Sequence, residues 1–167
     1  MRVIGIDPGT LNTGYGIIDE DRGRLTTVAF GTVKLPSKAA LERRLLSLYT
    51  ELSSIFDLYK PEEVALEEPF VAGNVKSAFA IGRAQAMAIL VAVTRNLPVS
   101  RYLPNQIKQQ VTNYGASSKE QVGEMVKIQL GISGKIDSED ASDALAAAIC
   151  HINQTHMERL IGNKLKQ

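Results

Sequence analysis

Apolar stretches bounded by turn residues recur three times near the start of the chain, the first carrying Val3, Ile4 and Ile6 as a buried strand that stops at Asp7 and Pro8-Gly9. They predict strands over Arg2–Asp7, Thr13–Asp19 and Leu25–Leu35, joined by short turns into an antiparallel meander. A helical period follows. Leu41, Leu45, Leu48, Leu52, Ile55 or Phe56, and Tyr59 recur at intervals of three and four, the mark of a helix with one buried face, and Pro61 ends it. Glu62–Glu67 (EEVALE) reads as a short strand reached through that helical crossover, and so parallel to the first strand. A helix over Asn74–Arg95 is rich in alanine and apolar nearly all round, so it needs cover on more than one side, from its own sheet and from a partner chain, which Phe79, Met87, Leu90 and Val91 are expected to face. A strand at Val99–Tyr102 and helices over Asn105–Val111, Lys119–Leu130 and Ser138–Thr155 complete the pattern. The expected architecture is a mixed α/β fold with a five-stranded sheet, three strands antiparallel and two parallel, flanked by helices. Residues 1–157 form one domain, and the polar end of the chain, 158–167 (ERLIGNKLKQ), is expected to be a flexible tail.

With 167 residues, 44% of them hydrophobic, the chain suits a single domain with a good core. It opens on a strand rather than on a charged stretch leading into an apolar run, and Ala84–Thr94 is too short to span a bilayer, so a cytoplasmic protein without membrane contact is expected. Cys150 is the single cysteine and excludes an intrachain disulfide; in its apolar helical run it reads as core. Net charge is +1, but it is unevenly spread. Between Pro69 and Ile136 the only acids are Glu120 and Glu124, against eight lysines and arginines. An acidic region beside a basic flank suits a polyanion that must also meet metal ions.

Candidate chemistry lies in the carboxylates. Asp7 ends the first strand and runs into Pro8-Gly9, where an aspartate is common in any turn. It gains meaning from Glu67, which ends the strand expected to lie parallel to it, because ligands of open sheets sit at the carboxyl ends of such strands. Asp140 and Asp143, three apart in SEDASDALAAAICH, share a helix face, with Ala144, Ala147 and Ala148 allowing that helix to lie close to the sheet. An acid in the first helical turn is favoured by the helix dipole, which accounts for Asp140 better than for Asp143. Four converging carboxylates repel one another unless cations neutralise them. Such hard oxygen donors suit Mg2+, and two ions can stabilise both the attacking and the leaving oxygen of a phosphodiester displacement. On this reading Gly14 and Gly16 leave the strand backbone bare so that a bulky substrate can approach.

The segments IGIDPGTLNTGYGII, VALEEPFVAGNVKSA, IKQQV…SSKEQV and EDASDALAAAICH, in this order and spacing, resemble the RuvC family of crossover (Holliday) junction endodeoxyribonucleases, over nearly the whole chain to His151. The resemblance implies a ribonuclease-H-like fold and a homodimer. It also implies resolution of four-way DNA junctions in recombination and repair, by paired symmetric nicks that leave 5′-phosphate and 3′-hydroxyl ends. Asp7, Glu67, Asp140 and Asp143 match the family's catalytic, metal-binding carboxylates, with two Mg2+ per subunit and Mn2+ as a substitute; some relatives carry His at the position of Asp140. Phe70, which alone would read as core, matches an aromatic that stacks on bases. Lys76 and Arg83 are expected to bind DNA, and Lys108 and Lys119 match basic DNA contacts of the family, Lys119 also offsetting charge at the scissile phosphate. Either of the last two alone would read as a solvated lysine. The family further implies the branch-migration helicase complex as a partner and no nucleotide cofactor. Two departures stand out: GRAQAM differs from the usual G-x-A-R-G and places Arg83 early, and Asn113 in TNYG replaces a common glycine.

Three other functions compete. An actin-like or sugar-kinase ATPase also begins with strand, acid and Gly-Thr turn, but needs two such domains, and a second copy of the turn is absent. A nuclease of the same fold acting on RNA–DNA hybrids or RNA precursors fits the basic middle segment and SSKEQV less well. A non-catalytic junction-binding scaffold would not need all four carboxylates.

Overall fold

The computed structural model describes residues 1–68, 75–136 and 138–164. Strands β1 (Arg2–Asp7), β2 (Asn12–Asp21), β3 (Arg24–Lys34), β4 (Glu63–Glu67) and β5 (Val99–Tyr102) form one sheet in the order β3-β2-β1-β4-β5. The first three pair antiparallel, whereas β4 runs parallel to β1 and β5 parallel to β4, as the crossover argument required. Helices α1 (Leu41–Tyr59), α2 (Val75–Val93), α3 (Pro104–Thr112), α4 (Lys119–Leu130) and α5 (Glu139–Lys164) cover its two faces.

The period-two alternation sorts the strand residues between those faces. Ile4, Ile6, Ile17, Val64 and Leu66 point one way and meet Leu48, Leu52 and Phe56 of α1 and Ala84, Ala88 and Val91 of α2. Val3, Ile18 and Ala65 point the other way, against Leu145 and Ile149 of α5, with Ile107 and Val111 of α3 and Val122 and Val126 of α4 behind. Local signals set the ends. Lys60 turns left-handed (φ 50°) before Pro61 and its N–H donates to the Phe56 carbonyl, closing α1. Ser118 opens α4 with a capping box: its hydroxyl accepts from the Gln121 N–H and its own N–H donates to the Gln121 side chain.

The glycines of β1 and β2 have a different use from the one their bare backbone suggested. A Cβ on Gly5 would lie 1.9 Å from the Ala144 carbonyl oxygen, and one on Gly14 would lie 1.9 Å from that of Asp140. Gly16 faces Leu145 at 2.7 Å. The space is filled by α5, not left for substrate. At the other end, α5 continues to Lys164, past the Thr155 end expected from the polar composition of 158–167. Met157, Leu160 and Ile161 recur at helical spacing along this extension and are exposed.

Gly5→Ala and Gly14→Ala should each lower stability by about 1–3 kcal/mol or more, because backbone on both sides of the contact has to move. Gly134→Ala, where a Cβ would meet nothing within 4 Å, should be near neutral. Urea unfolding of the three variants checks this, and equal stabilities would refute the close seating of α5.

Candidate active site

Because β1 and β4 are parallel and in register up to Ile6 beside Leu66, their last residues, Asp7 and Glu67, arrive side by side at one end of the sheet. Alternation directs both toward the α5 face, the face of Val3 and Ala65. There α5 supplies Asp143 from its second turn, and one carboxylate oxygen from each of the three acids lies within 4.8 Å of the others. The turn beyond Asp7 is held at the rim by Thr13, whose hydroxyl donates to the Gly9 carbonyl (2.7 Å) and accepts from the Gly9 N–H (3.1 Å). The N-terminus of α5 is tied down by Ser138, which accepts from the Ala141 N–H at 3.0 Å and hydrogen-bonds Thr32 of β3.

Asp140 stands apart from this trio. It lies one turn nearer the helix start with its carbonyl over Gly14, and no oxygen of its carboxylate joins the three-way cluster, although its charge acts on Asp7. Among the described residues the structure therefore brings together three of the four expected carboxylates and holds the fourth at the margin.

Burial, and then the charge of Glu67, followed by Asp143 and Asp140, push the Asp7 carboxyl up to about 8, with Lys119 opposing. Burial and Asp143 push Glu67 up to about 7, against Lys119 and Lys108. Buried this close together, Asp7 and Glu67 ionise less readily than free carboxyls. Among the described residues the cation in direct contact is Lys119, at the first turn of α4, whose Nζ donates to Asp143 Oδ2 at 2.9 Å and is held above its usual value by that bond. The donor set fits a hard divalent cation: carboxylate oxygens only, partly buried, with excess negative charge.

The remaining expected residues divide by element. Lys108 is partly buried on α3, within electrostatic reach of Glu67. Lys76 and Arg83 are exposed on α2. Phe70 lies outside the described residues. Of the α2 residues expected to face a partner, Phe79 and Leu90 are exposed, but Val91 is fully buried and Met87 packs partly on the core of its own sheet. Asn113 closes α3 in the left-handed conformation (φ 61°), which explains how it replaces glycine: asparagine is among the few residues that tolerate that region. Sequence reasoning missed a buried network behind the site. The His151 ring hydrogen-bonds the Tyr102 hydroxyl (2.7 Å) through Nδ1 and Glu63 (2.6 Å) through Nε2. It links α5, β4 and β5, and so fixes the helix bearing Asp143 against the strand bearing Glu67. Its faint signal was a histidine inside an otherwise apolar helical run.

The family model described as "Crossover junction endodeoxyribonuclease RuvC" matches residues 3–151. The chain belongs to this family. A Dehalococcoides mccartyi crossover junction endodeoxyribonuclease RuvC is 46% identical over 167 residues, covering 100% of this chain and 98% of the relative. Thermus thermophilus RuvC, solved in complex with a Holliday junction substrate, superposes with a TM-score of 0.89 at 28% identity, covering 95% of this chain and 96% of that one. The yeast mitochondrial Holliday junction resolvase Ydc2 shares the fold at a TM-score of 0.70 and 16% identity, over 99% of this chain and 85% of its own. RuvC proteins and related resolvases are thus the structural neighbours of this ribonuclease-H-like sheet.

The raised carboxyls make a stability prediction. Native Asp7 keeps its proton to about pH 8, whereas the unfolded chain releases it near 3.8, so the native state binds more protons between these values. In EDTA, stability should fall as pH rises from about 4 to about 8. Asp7→Asn should flatten that decline and stabilise the protein at pH 8. Chemical unfolding at pH 5 and pH 8 tests this, and parallel pH profiles for wild type and variant would contradict it.

Proposed function

We propose that this protein resolves four-way DNA junctions as a magnesium-dependent endonuclease acting as a homodimer. The observation that carries the reading is the Asp7–Glu67–Asp143 cluster with Lys119 against it, in a chain of the RuvC family. The T. thermophilus relative solved with a Holliday junction substrate supports the choice of DNA.

Asp7, Glu67 and Asp143 would hold the metal, two Mg2+ in the fullest form with Mn2+ able to substitute, and Asp140 would complete the set from one turn away. Bound there, the metal would supply Lewis-acid stabilisation of the attacking and leaving oxygens. The net reaction adds water across one phosphodiester and breaks its bond to the 3′ oxygen, leaving a 5′-phosphate and a 3′-hydroxyl. Lys119 would offset charge at the scissile phosphate. Lys76, Arg83 and Lys108 would bind neighbouring phosphates, and Phe70 would stack on a base near the junction centre.

A junction of near two-fold symmetry needs two matched nicks, and two equivalent pockets related by a C2 axis provide them. The outer face of α2 supports this pairing. Phe79 (65% exposed), Leu90 (46%) and Val93 (57%) lie along it, with Gly82 and Ala86 between them permitting close approach. The branch-migration helicase complex of the same pathway is the further partner we propose, and the cytoplasm the place. In keeping with the latter, no helix of the described residues is long and apolar enough to cross a membrane.

Cleavage of a synthetic four-way junction with and without Mg2+ is the direct test. Asp7→Asn and Asp143→Asn should abolish cutting while junction binding survives. Full cutting by Asp7→Asn would end the assignment. Ala86→Glu should give folded monomers that resolve poorly, read by sedimentation together with the ratio of linear to nicked product from a cruciform plasmid. Paired cutting by a protein that stays monomeric on the junction would refute the dimer.

A further inference from the structure

Between α3 and α4 the chain makes a tight turn that presents one aromatic ring to solvent. Tyr114 is 65% exposed, yet its backbone is anchored on both sides. Its N–H donates to the Thr112 hydroxyl (3.2 Å), and its carbonyl accepts from both the N–H (3.2 Å) and the hydroxyl (2.8 Å) of Ser117. Ser117 is itself buried, and Asn113 enters the turn in its left-handed conformation. The ring is therefore displayed by a rigid support while contributing little to the core.

Its surroundings carry the right charge and shape for one ligand class. The turn joins the helix of Lys108 to the helix of Lys119, the two cations that both act on Glu67 of the acidic cluster. Next to it, Leu103, Pro104, Asn105, Lys108 and Gly115 line a cavity of about 340 Å³. Its walls are mostly apolar, with one amide able to pair with a base edge and one lysine for phosphate. Flat aromatic faces flanked by cations are the chemistry that binds unpaired nucleotides.

Resting on the junction reading above, we propose that the α3–α4 turn binds a nucleotide whose base has left the duplex, with Tyr114 stacked on that base and Lys108 and Lys119 holding phosphates on either side of it. A continuous duplex offers no free base face to this ring, whereas the branch point of a junction does. The turn would thus help distinguish branched from linear DNA beside the scissile position.

The test compares wild type, Tyr114→Ala, Tyr114→Leu and Tyr114→Phe for binding to a synthetic four-way junction and to a linear duplex of the same sequence, in EDTA across a salt series. Tyr114→Ala and Tyr114→Leu should weaken junction binding about 5- to 150-fold with the salt slope unchanged, leaving duplex binding nearly as it was. Tyr114→Phe should retain wild-type affinity. Leucine keeps the apolar bulk, so a defect shared by alanine and leucine but absent in phenylalanine isolates stacking from any effect on folding. Equal junction affinity for all four proteins, an equal loss on duplex, or a fall in salt slope would each overturn the proposal while the junction reading stands. Wild-type protein with no preference for the junction would overturn both.

Discussion

The Ala144 carbonyl oxygen occupies the space in which any side chain at position 5 would place its Cβ, and the Asp140 carbonyl does the same over position 14. This contact between helix backbone and strand backbone sets the height of α5 above the sheet. Asp143 rides on that helix, so its distance from Asp7 and Glu67 follows from it. The buried His151–Tyr102–Glu63 network then fixes the helix along its length, and the Ser138 cap, bonded to Thr32, fixes its start. Three acids from three distant parts of the chain meet because two glycines and a histidine leave the helix one position.

The cost of this arrangement is electrostatic. Burial and mutual repulsion raise Asp7 and Glu67 far above ordinary carboxyls, and Lys119, joined at Glu67 by Lys108, offsets only part of that. A site optimised for stability would replace one of the acids. Keeping all of them leaves the pocket short of positive charge, which is also what makes a cation, and behind it a phosphate, welcome there.

Much of this was readable in the sequence, because it rests on periodicity and on strand direction. The aliphatic run VIGID with its Pro-Gly stop and the three-four spacing of Leu41 to Tyr59 located the sheet and α1, and the crossover rule put Glu67 beside Asp7. One failure concerns glycine: a sequence gives the absence of a side chain but not what fills the gap. Gly14 and Gly16 could admit substrate or helix equally well, and only packing decides. Phase was a second difficulty. At about 100° per residue, Leu90 falls on the same side of α2 as Phe79 whereas Val91 is rotated well away, into the core. The end of α5 was misjudged because polar residues do not stop a helix; Met157, Leu160 and Ile161 continue its period. The role of His151 depends on Glu63 and Tyr102, far away in sequence, and could not be inferred from its neighbours.

The distribution of the acids along the chain has a consequence for biosynthesis. Asp7 and Glu67 come together once β1, α1 and β4 have been made, but Asp143 belongs to the last helix and is seated only by contacts that reach back to the first strand. A growing polypeptide therefore lacks the complete carboxylate cluster until its final helix has been made and docks. A chain ending before α5 would carry Asp7 and Glu67 without Asp143, and the three acids could not meet.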